Sequence, residues 1–154
     1  MRSVKQLSVS DAAYVAGIID GEGTITLTKI PRGENRRPVV SISSTESPLL
    51  RYVKSVIGVG RITNKVCSRL HHTSSFAYVI SGRQALAVLS QVAEYLRTYK
   101  AARARLLLEE YVSVTPRNGR YSVDQRAARE NFENRFFAIS VRAPSKKPEA
   151  FASR

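Results

Sequence analysis

With 154 residues, 43 % of them apolar, the chain is long enough for one domain with a full core and too apolar to be disordered. Lys and Arg number 25 against 12 Asp and Glu, so the net charge is +13, an excess that points to a polyanion and first of all to nucleic acid. The single cysteine, Cys67, excludes an internal disulfide framework and a cysteine-built zinc site.

The first helix is expected from about Ser10 to Asp20. Ser8 to Asp11 reads S-V-S-D, an approximate capping box, and Asp11 also suits the positive helix end. Ala13, Gly17 and Asp20 share one face and Ala16 flanks it; small residues there let another helix approach closely. Gly21 or Gly23 is expected to end the helix in the left-handed conformation. Thr24 to Lys29 alternates strictly, with Ile25 and Leu27 inward and Thr24, Thr26 and Thr28 outward, the pattern of a half-buried strand. A basic connection from Pro31 to Pro38 leads to a second strand, Val39 to Ser44. There Val40 and Ile42 oppose Ser41 and Ser43, and the pair reads as a hairpin.

Ser47-Pro48 announces a second helix, with Ser47 as N-cap and Leu49, Leu50, Val53, Val56 and Ile57 on its apolar side. Gly60 to Cys67 predicts a third strand with Arg61, Thr63 and Lys65 on one face, and Phe76 to Ile80 a fourth. Helices follow over Arg83 to Leu96, Lys100 to Val114 and Val123 to Phe137. The order predicts an α+β fold of the αββαββα type, a four-stranded antiparallel sheet with helices on one face. Residues 1–142 are expected to form one domain, and 143–154 a flexible basic tail.

Charge is unevenly spread. Between Gly23 and Arg83 ten basic residues face only Glu34 and Glu46. The acids Asp20 and Glu22, set among glycines just before this region, therefore stand out. His71 and His72 are adjacent, lack the H-x3-H spacing of metal ligands, and read as loop residues. An EF-hand from Asp20 fails, because its sixth position is Ile25 and its twelfth Pro31.

The stretch Val15-Ala16-Gly17-Ile18-Ile19-Asp20-Gly21-Glu22-Gly23 resembles the LAGLIDADG motif of the homing endonucleases. Val for Leu, Ile for Leu and Glu for Asp are conservative, and Gly21 replaces the second alanine. The resemblance extends from about Ala12 to Val114 and is closest to the single-motif, homodimeric branch, because no second copy appears. It implies a site-specific double-strand endonuclease that cuts a long, near-palindromic DNA target by metal-dependent hydrolysis across the minor groove. Double-stranded DNA and a second copy of the chain are the implied partners. Mg²⁺, or another divalent ion such as Mn²⁺, is the implied cofactor, with no small-molecule cofactor besides.

The resemblance also implies roles for single residues. Two motif helices pack together, which assigns Ala13, Ala16, Gly17 and Asp20 to a dimer interface. Glu22 matches the acid that binds metal, with the Gly21 carbonyl beside it. Asp20 matches the first acid of the motif, near the helix end, and is a further metal candidate. Lys100 is implied as the basic group near the scissile phosphate, with Glu46 and Arg51 as further catalytic candidates. The outward face of the sheet supplies the DNA contacts expected from Thr26, Thr28, Arg32, Arg37, Ser41, Ser43, Arg61, Thr63, Lys65 and Arg69. A non-cleaving RNA maturase or DNA-binding regulator of the same fold is the alternative, and a basic structural RNA-binding protein a third reading.

No apolar run nears the ~20 residues that span a bilayer, and MRSVKQLSVS lacks the apolar core of a secretion signal. An intracellular protein (cytoplasm, nucleoid or organelle matrix), neither secreted nor membrane-bound, is expected.

Overall fold

The computed structural model describes residues 2–31, 33, 35–65 and 73–141. Arg32, Arg69, His71, His72 and Cys67, named above, lie outside them, as does the tail. The elements run α1 (Val9–Glu22), β1 (Gly23–Lys29), β2 (Arg36–Ser44), α2 (Ser47–Ile57), β3 (Arg61–Lys65), β4 (Ser75–Ser81), α3 (Gly82–Val92), α4 (Lys100–Glu110) and α5 (Val123–Ala138). A short 3₁₀ turn, Ala93–Tyr95, follows α3.

The four strands form one antiparallel sheet in the order β1-β2-β4-β3. Strict alternation gives it two chemically different faces. Ile25, Leu27, Val40, Ile42, Tyr78 and Ile80 point inward and are buried. They meet Val15 and Ile19 of α1, Leu50, Val53 and Ile57 of α2, and Val88, Leu89 and Val92 of α3 in one continuous core. Leu107 of α4 and Phe132 and Phe136 of α5 complete that core.

Ser8 caps α1 by accepting the Asp11 N–H at 3.1 Å, one half of the box read from the sequence. The Asp11 carboxylate instead accepts the Tyr52 hydroxyl at 2.6 Å and ties α1 to α2. The end of α1 differs from the expectation. The helix continues to Glu22, and Gly23 is extended, with φ −99°, so no left-handed turn intervenes. Glycine is required there by a close approach: a Cβ on Gly23 would lie 2.7 Å from the Ile19 Cα. The motif thus passes straight from helix into strand, and Glu22 stands at the junction.

Three further boundaries move. The N-cap of α2 is Glu46 rather than Ser47, because Ser47 already lies inside the helix with Pro48 in its first turn. Helix α3 stops at Val92, so Leu96 reaches the core from extended backbone. Helix α4 stops at Glu110.

Two arginines fasten α4 and α5 to the sheet. Arg129, 5 % exposed, donates to the Arg36 carbonyl, the Thr115 hydroxyl and Glu133, and lies over the rings of Tyr111 and Phe132. Arg103 donates to the carbonyls of Ile139 (2.7 Å) and Ile25 (2.9 Å) and stacks on Phe136. Ser122 and Gln125 close a full capping box at the start of α5. No helix among the described residues is long and apolar enough to cross a membrane.

Candidate nucleic-acid interface

The outer face of the sheet follows from the register. One row across it reads Thr24, Ser41, Val79, Arg61; the next reads Ser43, Ala77, Thr63; towards the hairpin lie Thr26 with Val39 and Ser81, then Thr28 with Arg37. Thr26, Thr28, Arg37, Ser41, Ser43, Arg61, Thr63 and Lys65, all named from the sequence, therefore share this one face. Lys65 Nζ donates to Ser43 Oγ at 3.4 Å, linking β3 to β2 across β4.

Arg36 and Arg37 show how strongly alternation sorts adjacent cations. Arg36 turns to the helical side, pairs with Glu133 at 3.6 Å and lies over the Phe137 ring. Arg37 turns outward. Its Nε is buried and has no hydrogen-bond partner among the described residues, an arrangement that costs about 1–3 kcal/mol until an acceptor arrives.

The acids and Lys100 meet at the foot of α1. Glu22 is exposed at the helix–strand junction. Lys100, only 8 % exposed, opens α4 and donates from Nζ to the carbonyls of Ile19 (2.8 Å) and Asp20 (2.9 Å). Those are end-of-helix carbonyls, where the dipole favours a cation. Burial lowers the Lys100 pKa, against the opposing charges of Asp20 and Glu22.

Asp20 is bonded within its own chain. One carboxylate oxygen accepts the Arg97 N–H at 2.7 Å; the other accepts the Thr98 hydroxyl at 2.6 Å and the Thr98 N–H at 3.3 Å. Partial burial raises its pKa, but these bonds and the Lys100 charge outweigh that and hold it below the usual value. Asp20 therefore anchors the segment before α4.

The exposed metal candidates are Glu22 and the neighbouring Gly21 carbonyl. Both are hard oxygen donors, the type that Mg²⁺ and Mn²⁺ prefer, so the chemistry fits such an ion. Among the described residues no three His, Cys, Asp or Glu side chains gather into a cluster.

Glu46 is exposed at the start of α2, beyond the end of β2 that pairs with the start of β1, so it shares the Glu22 end of the sheet. Arg51 does not join this group. It lines a separate groove with Lys5, Lys54, Ser55, Gly58 and Ile62, whereas Lys100 shares its cavity with Asp20, Gly23 and Tyr99.

On α1, Ala13 and Gly17 are exposed as the interface reading requires, but Ala16 is fully buried in the core of its own subunit and is removed from that list. Gly21 is exposed with Gly17, and a Cβ on either would meet nothing within 4 Å.

No protein-family model and no curated protein matches this chain in sequence. Solved structures do match. The homing endonuclease I-CvuI, in complex with its target in the presence of 2 mM Ca, superposes with TM-score 0.67 at 15 % identity, over 90 % of this chain and 87 % of that one. The archaeal intron-encoded homing endonuclease I-Vdi141I, complexed with DNA, gives 0.65 at 16 % identity over 87 % and 86 %. The chain has the homing-endonuclease fold. The LAGLIDADG homing endonuclease I-GzeII, in complex with its DNA target, gives 0.56 at 19 % identity, and there 87 % of this chain covers only 44 % of the other. In the homing-endonuclease fold, then, this chain corresponds to about half of some longer chains.

Several residues of the site escaped the sequence reading. Ala77, Val79 and Ser81 of β4 complete the outer face, and the inward alternation of Phe76, Tyr78 and Ile80 was the signal for them. Gln84, at the start of α3, borders the same face beside Arg37 and Ser81. Thr98 had no local signal, since its partner Asp20 lies 78 positions away.

Proposed function

We propose that the protein is a site-specific endonuclease for double-stranded DNA that works as a homodimer with a divalent metal ion. The observation that carries this reading is the continuity of Glu22 and Lys100, at the foot of α1, with an outer sheet face built of Thr, Ser, Arg and Lys. A duplex laid on that face would bring its backbone to the acid end of the sheet. The DNA-bound homing endonucleases of the same fold support DNA over RNA as the partner.

Glu22 and the Gly21 carbonyl would hold the metal. When bound, a divalent ion supplies a nucleophilic water at neutral pH and neutralises charge on the phosphate. Lys100 is already oriented by two carbonyls, which leaves its third N–H to steady a phosphate oxygen as negative charge develops. Glu46, at the same sheet end, would order solvent there.

Two features favour a homodimer. Gly17 and Gly21 each cost α1 about 1 kcal/mol relative to alanine, and nothing among the described residues requires either. A second α1 packed against that face would require both. The match to about half of I-GzeII fits a chain that supplies one half of a two-part site.

The test is cleavage of DNA carrying the joined sequences that flank the gene, with Mg²⁺. Wild type is expected to cut both strands, and Glu22→Gln to bind the same DNA without cutting. A Glu22→Gln protein that still cuts removes Glu22 from the reaction; wild type that binds RNA but no duplex DNA supports the maturase alternative.

A further inference from the structure

We infer that the hairpin end of the outer sheet face holds a guanine-reading pocket in which Arg37 selects the base. The inference rests on the endonuclease reading and adds a base and a place to it. Arg37 and Thr28 are register partners at the end of β1 remote from Glu22. With Arg61, Ser81 and Gln84 they line an open cavity of about 470 Å³, to which Val39 and Val79 also contribute.

Three observations single out Arg37. Its side chain forms no hydrogen bond to a described residue, unlike those of Arg36, Arg103 and Arg129, and its Nε is buried. Its side chain is half-buried, so the guanidinium enters the complex with few rotamers to lose. Apolar Val39 and Val79 line the same recess, which suits the edge of a base and does nothing for a phosphate.

Arginine presents only donors, in a rigid fork. In the major groove only guanine offers two adjacent acceptors, O6 and N7, to such a fork; adenine pairs an acceptor with a donor. Arg61 differs, because it is exposed on the edge strand, where a phosphate contact is the natural role.

The strand sets the position. Thr28 lies five residues along β1 from Gly23. At ~3.4 Å per residue the pocket is about 17 Å from the helix–strand junction. With ~3.4 Å per base pair, the guanine should lie about five pairs outward from the bases nearest Glu22.

The experiment selects duplex sites from a randomised DNA pool with the full chain as wild type, Arg37→Ala and Arg61→Ala. Wild type should enrich a guanine in each half-site near that position. Arg37→Ala should lose the preference there alone, with a roughly tenfold or greater drop in affinity for the guanine site. Arg61→Ala should weaken all sites alike and lower the salt slope by about one. Replacing that guanine by 7-deazaguanine, which lacks the N7 acceptor, should reproduce the Arg37→Ala loss with wild-type protein, independently of how the variant folds. An unchanged guanine preference in Arg37→Ala, or no effect of 7-deazaguanine, overturns the proposal. If wild type enriches no duplex site, the endonuclease reading fails and the pocket assignment fails with it.

Discussion

On the outer face of the sheet, the side chains of Arg37 and Arg61 form no hydrogen bond to a described residue; on the helical side, Arg103 and Arg129 bind main-chain carbonyls and lie over aromatic rings. The two regions contain the same residue type and opposite physics. Behind the sheet, each guanidinium bonds main-chain carbonyls of other elements, so its charge holds the fold together. In front, neither arginine pairs with an acid of the described residues. A formal charge of +13 therefore overstates the charge available to a partner, and location decides which cations count.

That contrast can be broken most forcefully at Arg129. Arg129→Ala strips partners from the Arg36 carbonyl, Thr115 and Glu133 together, and should cost about 3 kcal/mol in urea unfolding. Arg61→Ala should stay within about 0.5 kcal/mol of wild type. Equal losses would erase the distinction between the two sides.

Lys100 sits between the regions, buried like the structural cations yet beside Glu22. Lys100→Met keeps the stem and removes the donor. It should lower stability by about 1–2 kcal/mol and cleavage by on the order of 10²-fold. A stability loss with undiminished cleavage would make Lys100 purely structural.

Gly17→Val sharpens the interface side. A side chain there meets open space within the chain, so monomer stability should hold, while self-association measured by light scattering should disappear. A dimer that survives would move the interface off this face of α1.

The smallest effect concerns Asp20. Its pKa is lowered in the folded state, so its stabilising contribution is present above the unfolded value of 3.8 and is lost as pH falls through the lower, folded value. The stability gap between wild type and Asp20→Asn should be full near neutrality and close in that acid window. A gap independent of pH would contradict the bonds to Arg97 and Thr98.

Much of this arrangement was legible in the sequence because strands declare themselves by alternation. Thr24 to Thr28 and Val40 to Ser43 fixed both faces of the hairpin, and with them most of the candidate interface. Helix α1 was harder. It is apolar nearly all round, so periodicity did not distinguish the buried Ala12 and Ala16 from the exposed Ala13 and Gly17. The role of Asp20 depended on Thr98 and that of Lys100 on Ile19, pairs about eighty positions apart that only the folded chain brings together. The N-cap of α2 moved by one residue because Glu46 and Ser47 are both plausible starts ahead of a proline.

The central claim, that the outer face carries the main contact with the polyanion, is tested most directly by the salt dependence of DNA binding in two triple variants of equal charge. One replaces Arg37, Arg61 and Lys65 with alanine; the other replaces Lys5, Lys54 and Arg105, which are exposed outside that face. With Arg61 and Lys65 on phosphates and Arg37 on a base edge, the slope of log K against log salt should fall by about 1.8 in the first variant and stay at the wild-type value in the second. Equal changes in both variants would contradict the account.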